Sequence, residues 1–157
     1  MADLRKEVIA SPEFIGGIYV EIEDQFENIS YVEPLTDAIG LLKQQHEAMF
    51  AAEVDSAGNP WPILSPYTIN KKGHDTILVE TGQMKASIVD ETGDSIRDIV
   101  AEGNNQGLVF GTSDEKAPLH QKGTTKMPAR PPIGIQLDNV DVIANQVADL
   151  VVESLKG

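Results

Sequence analysis

Residues 118–135, P-L-H-Q-K-G-T-T-K-M-P-A-R-P-P-I-G-I, constrain this chain more than any other stretch. They show neither the 3.6-residue apolar stripe of a helix nor the alternation of a strand. Four prolines fix the backbone angle φ and remove backbone donors. The spacing predicts a stiff, extended arm. Lys122, Lys126 and Arg130 lie in it and no Asp or Glu does, although the chain as a whole carries a net charge of −13. A locally basic arm on an acidic chain needs a reason.

The length of 157 residues favours one domain, 1–157, with the arm spanning about 113–135. With 41% apolar and 24% charged residues, the composition is that of an ordinary globular protein. The chain has no cysteine, so disulfides and thiolate metal sites are ruled out. Sequence-independent nucleic-acid binding needs a surplus of cations to displace phosphate counterions, which this chain lacks. DNA can pass an acidic surface without adhering. No run reaches the ~20 apolar residues of a membrane span. The N-terminus M-A-D-L-R-K-E leads to no secretory pattern. A soluble chain, intracellular at synthesis, is expected.

Gly17 to Asp24 alternates Ile18, Val20 and Ile22 with Tyr19, Glu21 and Glu23, which predicts a half-buried strand of an antiparallel or mixed sheet. Pro34 to Val54 reads as a long amphipathic helix with Leu35, Ile39, Leu42, His46, Met49 and Phe50 on one stripe. Residues 56–60 break it. Ser65 and Pro66 read as the N-cap and first turn of a short helix ending at Gly73. Trp61, flanked by prolines, is read as a core plug in preference to a ligand platform. Thr81 and Gly82 open a short helix or turn, and Ser87 to Asp90 is expected to be extended. Ser95–Ala101 and Gly107–Thr112 are read as a hairpin joined through Gly103-Asn104-Asn105-Gln106-Gly107. Asp138 to Leu155 closes the chain as a second amphipathic helix.

Catalytic constellations are missing from the sequence. His46, His74 and His120 are each alone, and H-E-A-M-F lacks the second histidine of a zinc helix. His46, on the apolar stripe, is read as a structural histidine. The carboxylates Glu21, Glu23 and Asp24, and Asp90, Glu91 and Asp94, occupy positions expected to face solvent. No nucleophile elbow, P-loop or dinucleotide fingerprint occurs. The expectation is a non-enzyme with no metal and no cofactor.

Four segments fall in a familiar order. The first is Trp61, Leu64, Ser65, Thr68 and Lys72; the second is Ile77, Leu78, Thr81, Gly82, Met84, Ser87 and Ile88. The third is His120, Gln121 and Gly123, and the fourth Pro128, Arg130, Pro131, Ile133 and Gly134. With the terminal helix behind them, the series resembles the phage virion morphogenesis family, the tail-completion proteins typified by Mu-like phages. Pro132 stands where that pattern has an aromatic residue, and Ala117-Pro118 where it often has Tyr-Ala. The first forty residues lie outside the resemblance.

The resemblance implies an α+β fold: a small twisted, mainly antiparallel sheet with one long helix and a C-terminal helix packed on it, plus the proline-rich arm. It implies a structural protein of a tailed-phage virion, made in the host cytoplasm, that acts at the neck in tail completion and head–tail joining. Its partners would be copies of itself in a ring, a hexamer being one such ring, the tail tube or tail terminator, and head-completion or connector proteins. DNA would pass nearby without specific binding, and no membrane is involved. The rival reading is a small-molecule or peptide-binding module.

His120, Gln121, Lys122, Lys126 and Arg130 are the candidate interface or arm-docking residues. Trp61, Ser65, Thr68, Thr81, Gly82 and Gly134 carry the structural motif. A proline-rich arm is already near its bound shape, so ordering it on a neighbour costs little entropy. Arg130, between prolines, presents a fixed guanidinium fork suited to a carboxylate of an adjacent subunit. Equally, the arm can wrap its own domain with Arg130 paired internally. The sequence leaves both open.

Overall fold

A computed structural model describes residues 6–9, 17–23, 29–102 and 105–157. The expectations for Asp24, for the N-terminal M-A-D-L-R and for the Gly103-Asn104 turn lie outside the described residues, as do the side chains of Glu21 and Glu23.

Strands β1 (Lys6–Ile9), β2 (Gly17–Glu23), β3 (Ser95–Glu102) and β4 (Asn105–Thr112) form one antiparallel sheet in the order β1-β2-β4-β3. Alternation on β2 sets the register, with Ile18 opposite Phe110 and Val20 opposite Leu108. Ile18, Val20, Ile22, Leu108 and Phe110 all face the core and are buried. Each such side chain contributes about 1.5–3 kcal/mol relative to exposure. The opposite face is more open, with Asp98 and Val100 exposed.

Helix α1 (Val32–Ala52) lies on the core face. Leu35, Ala38, Leu42, Met49 and Phe50 recur at helical spacing and are buried, as the stripe predicts. Pro34 sits in its first turn. The helix ends at Glu53, a non-glycine residue in the left-handed region (φ 54), whose carboxylate accepts the backbone N–H of Ile77 at 2.8 Å. The C-terminal helix α5 (Leu137–Lys156) buries Ile143, Val147 and Val151 against this layer. The α+β architecture is thus a sheet with a long helix and a C-terminal helix packed on it.

Three expectations are corrected. Residues Ser87 to Val89 are helical, not extended: they complete α3 (Gln83–Val89), which buries Met84, Ser87 and Ile88. Arg97 supplies the reason. Its Nη2 donates to the Ser87 and Ile88 carbonyls at the helix end, while the guanidinium stacks 3.9 Å over the Phe110 ring. A cation capping the last carbonyls stabilises a helix too short to stand alone.

The hairpin strands are longer than predicted. Asn105, Gln106 and Gly107 pair in the ladder, with Gly107 opposite Val100 and Glu21. Gly107 is there for space, since a Cβ on it would lie 2.7 Å from the Val20 carbonyl oxygen.

The first half of the arm is not extended. It contains α4 (Ala117–Lys122), followed by a turn closed between Thr124 and Met127. Pro118 occupies the first turn of α4, where a missing N–H costs nothing, and Gly123 (φ 73) ends it. Only residues 128–136 run without regular structure.

Candidate functional site

The segment leading from Trp61 reaches α2 (Pro66–Lys72), whose N-cap is Ser65. The Ser65 Oγ accepts the Thr68 backbone N–H at 3.2 Å and lies 2.9 Å from the Thr68 hydroxyl. Gly73, with φ of 82, closes the helix. Leu78 follows, buried and in the left-handed region at φ 59, an unusual state for a bulky side chain. Gly82, at φ 84, then turns the chain into α3, with the Thr81 hydroxyl accepting the Gln83 N–H. These pieces, α4 and the Thr124–Met127 turn surround one open cleft of about 580 Å³.

The arm is bound to this frame by its own chain. The Arg130 Nε donates to the Pro62 carbonyl at 2.6 Å and its Nη2 to the Ile63 carbonyl at 2.9 Å. The Arg130 backbone N–H donates to the His120 carbonyl at 2.8 Å. Trp61 donates from Nε1 to the Pro131 carbonyl at 3.1 Å and meets Phe50 edge-on at 5.3 Å. It is 3% exposed, a core plug as expected. Gln121 pairs with Ile133 reciprocally, through Nε2 to its carbonyl at 2.9 Å and from its N–H to Oε1 at 3.3 Å. Within its own chain Arg130 is 7% exposed and bonded to carbonyls rather than to a carboxylate.

Of the candidate residues, Ser65, Thr68, Thr81, Gly82, His120, Lys126 and Arg130 line the cleft. Trp61, Gln121 and Gly134 lie behind it in packing roles, and Lys122 is exposed outside it. Gly134 receives the Gln45 Nε2 on its carbonyl at 2.8 Å and donates its N–H to His46 Nε2 at 3.3 Å. A Cβ there would collide with the Ser56 side chain.

The sequence reading missed Lys71, Lys116 and Tyr67, which also line the cleft beside the motif residue Lys72. The signal was the Lys71-Lys72 doublet at the carbonyl end of α2, where a helix favours cations. It also missed the glutamines. Gln45 Oε1 accepts the Gln136 N–H at 2.9 Å and the Asn139 amide at 2.8 Å. Gln106, on the central strand β4, bonds the segment before α1 in a similar way, accepting the Tyr31 N–H and donating to the Ile29 carbonyl. A glutamine carries a donor and an acceptor on one end, so it substitutes for a strand partner where the chain is irregular.

Electrostatically the cleft is cationic. Burial lowers the pKa of Lys72 and of Arg130 below the usual values. His120 is lowered by burial first and by the Arg130 charge second. Its Nδ1 is buried and, among the described residues, has no hydrogen-bond partner. Lys116 lies 3.6 Å from Glu80 across the solvent-exposed rim. The lining holds no nucleophile paired with a base, and what it offers is charge for an anion beside an apolar wall. Among the described residues no group of His, Asp and Glu is placed to hold a metal ion, and no helix is long and apolar enough to cross a membrane.

No curated protein and no solved structure gives a significant match to this chain. The phage virion morphogenesis family matches residues 26–152, which extends the likeness well into the first forty residues that the motifs had left outside it. That match spans all four motif segments, the cleft they build and most of the terminal helix, so this chain belongs to the phage virion morphogenesis family.

Proposed function

We propose that this chain, as one domain, is a non-enzymatic structural protein of a tailed-phage virion. It completes the tail and joins it to the head at the neck, as a homo-oligomeric ring around the DNA path. Family membership supports a role in virion morphogenesis. The observation that carries the finer reading is the convergence of the four motif segments on one preformed cleft in which five cations and the helix-capping hydroxyls face a single acid, Glu80. Such a lining suits protein docking better than bond chemistry, which needs positioned acid–base partners. His120, Lys126 and the exposed Lys122 are the residues placed to meet a neighbour. The partners are other copies of the chain, the tail tube or tail terminator, and the head-completion or connector proteins. An acidic ring lets DNA slide past without gripping it.

The cleft volume, within the ~300–1,000 Å³ typical of ligand sites, favours a second reading as a small-molecule or peptide-binding module. Infection by a phage unable to make the chain separates the two. The neck reading expects filled heads and separate tails in negative-stain micrographs. Normal joined virions, infectious or not, would refute it.

A further inference from the structure

The cations of this chain are unevenly placed. Lys71, Lys72, Lys116, Lys126 and Arg130 line the cleft, five of the twelve Lys and Arg in a chain of net charge −13, and Glu80 is the only acid among them. Most of this charge is not neutralised. Arg130 is satisfied by neutral carbonyls, Lys72 Nζ donates to the Thr76 carbonyl at 2.7 Å with the Glu80 and Glu53 charges acting on it, and Lys116 lies 3.6 Å from Glu80. The rim also carries apolar surface left in water, with Ile63 87% and Tyr67 75% exposed.

Helix α5 is the complement. Its outward face carries Asp138, Asp141, Asp149 and Glu153, all exposed, and among the described residues no ion pair holds them. The same face leaves Val152 50% and Leu155 67% exposed, in register with the last two acids. Two copies of so acidic a chain repel wherever like surfaces meet, and like-charge juxtaposition costs several kcal/mol. The cleft is where a second copy finds a concentration of positive charge.

We propose that the outward face of α5 in one copy docks into the cationic cleft of the next, with Asp149 and Glu153 against the lysines and Val152 and Leu155 over Ile63 and Tyr67. The inference rests on the ring reading above and names its contact. Cleft and helix are different surfaces, so the contact is heterologous, and repetition of a head-to-tail contact closes a ring when the rotation permits. A contact held by charge at the rim weakens as salt screens it.

The absence of cysteine makes the test clean. Lys126→Cys and Glu153→Cys, both at exposed positions, are purified with different tags, mixed and oxidised. The expected result is a disulfide-linked dimer carrying both tags, several-fold more abundant than dimers from either variant alone and reduced at 0.5 M salt. Same-tag dimers formed as readily as mixed ones overturn the proposal. So does the absence of cross-linking when wild-type protein oligomerises by light scattering, which leaves the ring reading standing. If the wild type is monomeric in solution, the mixture is scored in particles from infected cells that lack their own copy. There a mixed dimer supports the proposal, and its absence with both variants incorporated sinks it. A chain found neither in oligomers nor in particles defeats the ring reading and the proposal together.

Discussion

Arg130 and Pro62, 68 residues apart in sequence, are joined by a hydrogen bond of 2.6 Å from the guanidinium Nε to the carbonyl oxygen. A second bond to Ile63 fixes the plane of the fork, so the end of the arm is bolted to the segment that carries Trp61. Arg130→Ala should therefore destabilise the monomer. Losing charged hydrogen bonds of this kind costs about 2–3 kcal/mol. Arg130→Lys should recover less than half, because an ammonium cannot reproduce the planar two-point geometry. Urea unfolding measures both. Loss of assembly with unchanged monomer stability would mean that the arm is held by a neighbour instead.

Trp61 is the only tryptophan, so its emission reports the docking of the arm directly. Trp61→Phe keeps an aromatic edge toward Phe50 but removes the donor to Pro131. Deleting part of a buried aromatic and one hydrogen bond should cost roughly 2 kcal/mol. In the wild type, arm release at low urea should show as a red shift before the far-UV signal changes if the arm frays first. Coincident transitions would instead make the arm part of the cooperative core.

His46 is fully buried, with Nδ1 2.6 Å from the Leu42 carbonyl, Nε2 accepting from Gly134, and its ring stacked on Phe110 at 5.0 Å. This arrangement needs the neutral imidazole with the proton on Nδ1. Burial, opposed by the Leu42 bond and assisted by the Arg97 charge, lowers its pKa from 6.5 to about 4. The unfolded chain then takes up a proton at higher pH than the folded one. The stabilisation is complete above pH 6.5 and is lost as pH falls toward 4, at up to ~1.4 kcal/mol per pH unit. His120 shifts in the same direction and adds to the slope. In His46→Gln, less stable at pH 7, the stability profile between pH 6.5 and 4 should be flatter. An unchanged slope would remove His46 from the acid sensitivity.

Gly107→Ala places a methyl group against the Val20 carbonyl at 2.7 Å, a backbone contact within the ladder that cannot give way cheaply. Overpacking of this sort costs about 1–3 kcal/mol. Gly93→Ala is the control, since a Cβ there meets nothing within 4 Å. Its effect should stay within about 0.5 kcal/mol. Equal thermal shifts in the two variants would argue against the close approach.

The long elements were legible because their side chains repeat. Ile18, Val20 and Ile22 alternate, and Leu35, Leu42 and Met49 return to one face, so periodicity placed β2, α1 and α5. Helix α4 and the second half of α3 were not. Six or seven residues complete too few turns to show a stripe, and α3 depends on Arg97, which arrives from another strand. Gly107 was read both as the start of a strand and as the end of the turn, because glycine serves turns and close contacts alike, and only the Val20 carbonyl distinguishes them. At the cleft, the motif residues named one wall. Lys71 and Lys116 became part of the same surface only once α2 and α4 were brought together.

A cryo-electron microscopic map of intact virions, with this chain fitted as a rigid body, tests the account most directly. The account predicts a closed ring of this fold at the junction of tail and head, with the DNA path through its centre and α5 of each subunit lying over the cleft of the next. Density for the chain in the capsid shell or at the distal tail tip, or its complete absence from the virion, would contradict it.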